Sequence, residues 1–321
     1  MLPCVLALLF AASEAPLLRQ ADQAFGRPAE ITVRGLPAEA AREAIRRAFA
    51  EIAETERLAD ATRPDGGLAA LNAAGKGPQK PDPRLLAMLG QALAFCYWSE
   101  GANGPLGRDL NALWGLRSPV AAPPNADQTE KAAALTACAH LTVDLDKGTA
   151  ALEAGSGLDL WGFAEGLALD RAVEVLRQNG AVNGFVRIGS VQRGFGRGPA
   201  GKGWPVELPQ PPGLEEPVGR VYLRDHAVAV AALADHPLGG AAPYLSQRTG
   251  RPPEGILSTV VVTELAAEAQ GLATSLFILG PREGQTRLGS LRPRPSVLWF
   301  LGSGAGTPVE VGYRWSEVSR R

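Results

Sequence analysis

The hydrophobic residues between positions 158 and 176 recur at the spacing of an amphipathic helix. The chain reads LDLWGFAEGLALDRAVEVL there, with apolar residues every three or four positions. Asp159 stands where an N-cap would accept hydrogen bonds from the first amides, and Gly180 follows where a C-cap is expected. Gly162 and Gly166 interrupt the first turns, although glycine weakens a helix by ~1 kcal/mol. The pattern predicts a helix and leaves open whether its start is a core contact or the floor of a binding site.

Four other segments share this helical spacing. They are AEAAREAIRRAFAEIAETERLA (38–59), DPRLLAMLGQALAFCYWSEG (82–101), DQTEKAAALTACAH (127–140) and a last helix from about Leu265 to Leu279. ATRPDGGLAALN, between the first two, is rich in turn-forming residues and predicts a link. The first half of the chain is therefore expected to be mainly helical.

Short β-branched runs bounded by Gly, Pro or Asp predict strands in the second half. They are GFVRIG, WPVEL, RVYLRD, AVAVAA and STVVVTE, followed after the last helix by SVLWFL and TPVEVGYRW. AFGRPAEITVRG predicts one earlier strand, entered through Gly26. Helices and strands alternate without βαβ regularity, which favours an α+β fold with a mixed sheet and packed helices. We expect one domain over residues 16–302, a possible signal peptide at 1–15, and a C-terminal strand and tail at 303–321.

Composition adds limits on size and partners. The chain has 321 residues, of which 45% are hydrophobic, and a formal net charge of -1. This length can bury one large core or two moderate ones. Because no long basic or acidic block is present, neither nucleic acid nor a membrane surface is expected as a partner.

The first residues, MLPCVLALLFAASEAP, have the short apolar core and small residues of a secretory signal but lack its basic start. Cys4 precedes the apolar core, where it is badly placed for lipid attachment. The segment is too short to span a bilayer. The alternatives are an N-terminal helix or a misassigned start. We expect a periplasmic or exported protein if the leader is real and a cytoplasmic one otherwise.

Several chemical motifs are incomplete. GFGRGPAGKG (194–203) resembles a phosphate-binding P-loop, but Gly203 stands where Ser or Thr should hold Mg²⁺, and Trp204 begins a strand-like run instead of a helix. We expect an exposed glycine-rich hairpin between FVRIG and WPVEL. No acid about twenty residues after such a loop supports a dinucleotide-dependent oxidoreductase. The pairs Asp225-His226 and Asp235-His236 are expected in surface loops, because adjacent residues seldom face each other.

The cysteines and serines indicate no further chemistry. Apart from Cys4, only Cys96 and Cys138 are present, too few for a disulfide framework and without zinc-ligand spacing. They are expected as small buried hydrophobic residues. IGSVQ around Ser190 lacks the second glycine of a nucleophile elbow, so serine hydrolase chemistry is not expected.

The segment LAAEAQGLATSLFILG (265–280) predicts a core helix with one polar pair. Gln270 and Thr274 lie one turn apart, so their side chains can point at one spot near the helix start.

Seven pieces in this order resemble the ApbE family, the FAD:protein FMN transferases, from about Ala24 to Gly302. AFGRPAEITV resembles the family's opening Met-Gly-Thr strand, LAALN its Leu-Asn turn, and SEGANGPLGRDLNALWGL its glycine, Phe-Asp and Leu-Trp-Gly segment. LDLWGFAEGLALDRA resembles the flavin-site helix, VRIGS the Gly-Gly-containing strand, RTGRP the turn after a His-containing strand, and AEAQGLATSLFILG the metal helix. The resemblance implies the ApbE fold over nearly the whole chain.

The resemblance also implies a reaction and a site. Such proteins transfer FMN from FAD to a Ser or Thr hydroxyl of an acceptor protein and release AMP, with Mg²⁺ bridging the diphosphate. The flavin nucleotide would contact Gly26, Asn72, Asp159, Gly162, Glu165, Gly166, Asp170 and Gly189. The metal would be held by the carbonyl of Ala168, by Gln270 and by Thr274. We expect Asp159, Gly162 and Ala168 to border one cavity with Gln270 and Thr274.

Several positions depart from the family pattern. Gln270 stands where the metal helix has a carboxylate, and metal affinity should suffer because an amide brings no negative charge. The others are Phe25 and Arg27 for Met and Thr of Met-Gly-Thr, Asn103-Gly104 for Phe-Asp, Ser190 for the second glycine of Gly-Gly, VAAL (230–233) for a Thr-Ser-Gly turn, and Pro243 for the histidine. Two hypotheses stay open: an FMN transferase with weakened activity, or a non-catalytic relative that binds flavin or serves as an assembly factor.

Overall fold

The computed structural model describes residues 16–74, 77–116, 120, 122–233, 244–302 and 306–318. The predicted leader, the Asp235-His236 pair and Pro243 lie outside these residues.

Twelve strands are present in the described part of the chain. They are Leu17–Ala24 (β1), Arg27–Arg34 (β2), Leu141–Asp144 (β3), Thr149–Leu152 (β4), Gly184–Ile188 (β5), Val191–Phe195 (β6), Trp204–Glu207 (β7), Arg220–Leu223 (β8), His226–Ala232 (β9), Ile256–Thr263 (β10), Ser296–Leu301 (β11) and Val309–Tyr313 (β12). Eight of them form one sheet in the order β1-β2-β5-β6-β9-β10-β11-β12, while β3-β4 and β7-β8 form two-stranded sheets. The α+β prediction is confirmed, and every neighbouring pair of the large sheet is antiparallel.

The described helices concentrate in the first half, as the periodicity predicts. They are Ala38–Ala59 (α1), Gly67–Ala73 (α2), Pro83–Trp98 (α3), Arg108–Leu113 (α4), Ala126–Ala134 (α5), Ala164–Gln178 (α6) and Ala266–Leu288 (α7). The bounds of α1 are those predicted. The turn-rich link contains the short helix α2, whose Leu68 and Leu71 are buried. Within the described residues, no helix is both long and apolar enough to cross a bilayer.

Two cores lie on opposite faces of the large sheet. On one face α1, α6 and α7 pack against apolar residues of the central strands, including Ile31, Ile188 and Trp299. On the other face the β7-β8 ribbon covers Val228, Val260 and further apolar residues. A third core joins α2 and α3 to β3-β4 and to the segment before α6. One face of the sheet thus packs against α6 and α7, and the third core fixes the segment that leads into α6.

The predicted hairpin at residues 194–203 is wrong. β6 and β7 are not paired, because β6 already has β5 and β9 as its neighbours and β7 pairs with β8. The glycine-rich segment instead crosses to the second face of the sheet, closed by a 2.9 Å bond that the Gly203 amide donates to the Arg197 carbonyl.

The boundaries of the two site helices also differ from the prediction. α6 begins at Ala164, so Asp159 is not its N-cap. The reason is local: Gly162 has a φ of +86°, outside the helical region, and the Asp159 carboxylate accepts a bond from the Trp161 amide, as in an Asx turn. α7 continues to Leu288 through a kink at Gly280, whose φ is +67°.

A disulfide joins the helical layer to the β3-β4 ribbon. Cys96 in α3 bonds to Cys138 in the turn before β3, so the expectation of two unpaired cysteines is wrong. Their separation of 42 residues gives no spacing signal in the sequence. A Cβ on Gly104 would lie 2.7 Å from the Cys96 Sγ, so glycine at position 104 makes room for the bridge.

We expect the double substitution Cys96→Ser/Cys138→Ser to lower the free energy of unfolding by about 2 to 4 kcal/mol, because the bridge restricts the unfolded chain. Urea unfolding of the oxidised protein, the reduced protein and the double variant measures this. The reduced protein should unfold at the same urea concentration as the double variant. Equal midpoints for all three samples would contradict a stabilising role for the bridge.

Candidate active site

The starts of α6 and α7 lie unusually close together, and two glycines allow it. A Cβ on Gly166 would lie 2.5 Å from the carbonyl oxygen of Ala266, a distance no real contact shows. A Cβ on Gly162 would lie 3.1 Å from the Oγ1 of Thr274. These glycines are therefore explained by the approach of one helix to the other.

Gln270 bridges the two helices with both ends of its amide. Its Oε1 accepts a 2.8 Å hydrogen bond from the Gly166 amide, and its Nε2 donates to Oε2 of Glu165. Gln270 and Glu165 are both buried. A neutral amide at position 270 thus satisfies a backbone donor and a buried carboxylate at the same time.

Arg27, at the start of β2, reaches the same carboxylate from the sheet. Its Nε lies 3.9 Å from Oε1 of Glu165, and its guanidinium stacks over the Trp161 ring at 5.6 Å from the centroid. A Cβ on Gly189, in the β5-β6 turn, would lie 2.7 Å from the Arg27 Cδ. Gly189 therefore provides the space that the arginine occupies.

Two cavities meet at this cluster. The inner cavity, of about 20 Å³, is lined among others by Arg27, Gly162, Ser190, Tyr244, Gln270 and Thr274. The outer cavity, of about 340 Å³, is lined among others by Phe25, Gly26, Asp60, Thr62 and Leu160. Trp161 and Glu165 line both. The outer cavity has the size of a small-molecule site, whereas the inner one has room for little more than a water molecule.

The tight β1-β2 turn shapes the wall of the outer cavity. Phe25 and Gly26 both have positive φ, at 54° and 68°, as in the type I′ turns that favour two-residue hairpins. β1 itself is not predicted by the sequence pattern, because its residues alternate weakly between apolar and polar.

These elements have the same order as those of a known family. A profile of the ApbE family matches residues 25–298. The chain belongs to the ApbE family. It is 29% identical over 267 residues to the FAD:protein FMN transferase of Treponema pallidum, covering 76% of this chain and 73% of that one. It is 26% identical over 274 residues to the enzyme of the same name from Klebsiella pneumoniae, covering 81% and 77%.

Solved ApbE structures share the fold. The flavin transferase ApbE from Vibrio cholerae superposes with a TM-score of 0.83 at 21% identity, over 93% of this chain and 97% of that chain. The ApbE protein from Thermotoga maritima gives 0.85 at 20% identity, over 95% and 100%. The ApbE fold expected from the sequence is confirmed.

In this ApbE chain, part of the predicted site lines the two cavities. Gly162, Gln270 and Thr274 line the inner one, Gly26 lines the outer one, and Glu165 lines both. Asp159 and Ala168 line neither, so the expected common border holds only for Gly162, Gln270 and Thr274.

Asn72 and Asp159 hold the segment that leads into α6. Asn72 clamps Leu158, since its Nδ2 donates to the Leu158 carbonyl at 3.0 Å and its Oδ1 accepts from the Leu158 amide at 2.7 Å. Asp159 is buried, and its Oδ2 accepts a 2.9 Å bond from Asn111. Both residues fix the position of Trp161 and Gly162.

Asp170 anchors the start of α7. Its carboxylate accepts bonds from the Ala266 and Ala267 amides at 2.9 and 3.0 Å and pairs with Arg193 at 2.5 Å. Burial raises the pKa of Asp170, and Arg193 with the two amides opposes that rise. The carboxylate orients the helix that carries Gln270 and Thr274.

The predicted metal position does not fit a resident Mg²⁺. The Gln270 oxygen already accepts the Gly166 amide, Ala168 is fully buried outside both cavities, and the positive Arg27 lies beside the Glu165 carboxylate. Over the described residues, no group of three or more His, Cys, Asp or Glu could hold a metal. Mg²⁺ sites in proteins rest on carboxylates that are free to ligate.

Two site residues were not singled out from the sequence. Trp161 lies within the segment that resembles the flavin-site helix but is not among the site residues expected there, and Arg27 stands out only as a departure from the family pattern. Asn103, another departure, donates a 3.0 Å bond to Ser275 of α7 and is buried away from the two cavities.

We expect Gly166→Ala to destabilise the protein by about 1 to 3 kcal/mol, because the added methyl group would push α6 and α7 apart. Gly90→Ala in α3 is the matched control, since its Cβ would meet nothing closer than 3.7 Å. Helix propensity predicts a gain of up to about 1 kcal/mol for the control. Thermal unfolding compares the two, and a Gly166→Ala protein as stable as the wild type would contradict the close packing described here.

Proposed function

We propose that this chain transfers FMN from FAD to a Ser or Thr hydroxyl of an acceptor protein and releases AMP. The proposal rests on the pair of cavities joined at Trp161 and Glu165, built from the segments that resemble the family's flavin site. The names of the relatives from Treponema pallidum and Klebsiella pneumoniae support the same reaction.

In this reaction the acceptor hydroxyl oxygen forms a bond to the phosphorus of the FMN part of FAD. The bond from that phosphorus to the oxygen bridging the AMP part breaks, and AMP leaves with the electron pair while the hydroxyl proton passes to water. Such transfers depend on positioning and on charge stabilisation. The chain contributes a fixed cleft, the buried Thr274 hydroxyl and the Arg27 guanidinium at its inner wall.

We further propose that the activity is weakened. Among the described residues that line the inner cavity, one side chain is positive and one is negative, Arg27 and Glu165. The neutral Gln270 replaces the carboxylate that the resemblance implies for the metal. A site without a carboxylate free to bind Mg²⁺ stabilises the charge that develops on the leaving AMP less well. Slow transfer with retained flavin binding is the expected result.

The test is to mix purified protein with FAD and Mg²⁺, then measure retained flavin after desalting and released AMP by chromatography. We expect retained flavin and little AMP. Flavin retained with no AMP, even after adding candidate acceptor proteins, would favour the non-catalytic flavin-binding alternative. Failure to retain flavin would contradict both.

Gln270→Asp should raise the affinity for Mg²⁺ in the presence of FAD at least about tenfold, equivalent to ~1.4 kcal/mol, because a carboxylate offsets the desolvation of the dication. Gln23→Asp adds the same charge at an exposed position and should change nothing. Isothermal titration with Mg²⁺ measures all three proteins. Tight Mg²⁺ binding by the wild type would contradict a weakened metal position.

We also propose that the protein acts outside the cytoplasm. The Cys96–Cys138 disulfide supports this, because structural disulfides persist in oxidising compartments. The signal-like pattern of residues 1–15 is consistent with export. Thiol alkylation and mass spectrometry of the full chain expressed in a Gram-negative bacterium should find both cysteines bridged and the protein in the periplasmic fraction. Free thiols at both positions in cytoplasmic protein would contradict the proposal.

A further inference from the structure

We propose that Arg27 takes the place of a divalent cation at this site, so that the chain binds the diphosphate of FAD without metal. This inference rests on the proposed function, because it concerns how the same cleft holds its substrate.

The first argument is the charge of the two cavities. A diphosphate needs positive charge nearby, and Arg27 is the one cationic side chain among the described residues that line either cavity. The acidic side chains there are Glu165, Glu56 and Asp60, which would repel a phosphate. Among the described side chains of the two cavities, the attraction for an anion therefore comes from Arg27.

The second argument is that the structure holds Arg27 in place. Trp161 lies under its guanidinium, Glu165 pairs with its Nε, and Gly189 leaves the space for its Cδ. Gln270 in turn donates to Glu165 and keeps that carboxylate directed at the cluster. Only about a quarter of the Arg27 side chain is exposed, at 23%. A side chain fixed in this way loses little entropy when it binds a ligand.

The third argument is competition between the two kinds of cation. A dication near Glu165 would stand close to the positive guanidinium, and no free carboxylate at position 270 would compensate for the repulsion. A guanidinium needs no such carboxylate, and its planar set of N–H donors matches phosphate oxygens in pairs. The two departures from the family pattern thus act together. Arg27 in place of threonine adds a cation, and Gln270 in place of a carboxylate removes a metal ligand.

The experiment compares the affinities for FAD and for riboflavin, which has no phosphate, by flavin fluorescence. Each is measured in EDTA and in Mg²⁺. Wild-type protein should bind FAD equally well in both, and added salt should weaken FAD binding while leaving riboflavin binding unchanged.

Arg27→Gln should weaken FAD binding about tenfold or more, as expected for a lost charge-assisted hydrogen bond, and leave riboflavin binding unchanged. Arg27→Lys keeps the charge and should give an intermediate FAD affinity, which a purely structural role would not produce. Arg42→Gln removes an arginine from an exposed ion pair on α1 and should have no effect.

FAD binding by the wild type only when Mg²⁺ is present would overturn this inference and leave the proposed function intact. Equal losses of FAD and riboflavin binding in Arg27→Gln would also overturn it, because the arginine would then support the cavity and not the phosphates. Wild-type protein that binds neither flavin would overturn the proposed function itself.

Discussion

The close contact between the first turns of α6 and α7 is the constraint on which the candidate site depends. Gly166 allows the backbones to touch, and Gln270 closes the gap by bonding to the Gly166 amide and to Glu165. Asp170 holds the α7 start from the other side through the Ala266 and Ala267 amides. Because every one of these groups is wholly or largely buried, a change in one of them displaces the walls of the inner cavity.

Position 270 carries an amide where the family resemblance implies a carboxylate, and the neighbouring Glu165 gives this difference a structural reason. A carboxylate there would face Glu165 across the same short distance, and two buried carboxylates repel each other unless a cation lies between them. The amide removes that repulsion by donating to Glu165. The bond between Gln270 and Glu165 contributes to internal stability, which explains how the fold persists with an amide at the position where the resemblance implies a carboxylate.

Periodicity predicts the regular elements well where one face is apolar over several turns. α1 matches its predicted bounds, and the seven strand runs of the second half all appear as strands. The sequence fails where structure is fixed by contacts distant in the chain. The cysteine pairing spans 42 residues, and β6 and β7 separate because β6 already has two partners. The start of α6 differs from its prediction for a local reason, because Gly162 and Asp159 form a turn that the apolar spacing does not show. Arg27 and Trp161 belong to no sequence pattern either. They contact each other only because the fold brings the start of β2 next to the segment before α6.

The kink at Gly280 divides α7 into two pieces with different surroundings. Before it, Gln270 and Thr274 belong to the cleft, while beyond it Glu283 and Arg287 form a surface ion-pair network with Arg248 and Glu100. The two pieces still touch across the kink, because a Cβ on Gly284 would lie 2.7 Å from the Leu276 Cδ2 and 3.1 Å from the Trp299 ring. Gly284 therefore leaves the room in which the two pieces meet, and a larger residue at position 284 would force the charged end of the helix away from the end that forms the cleft.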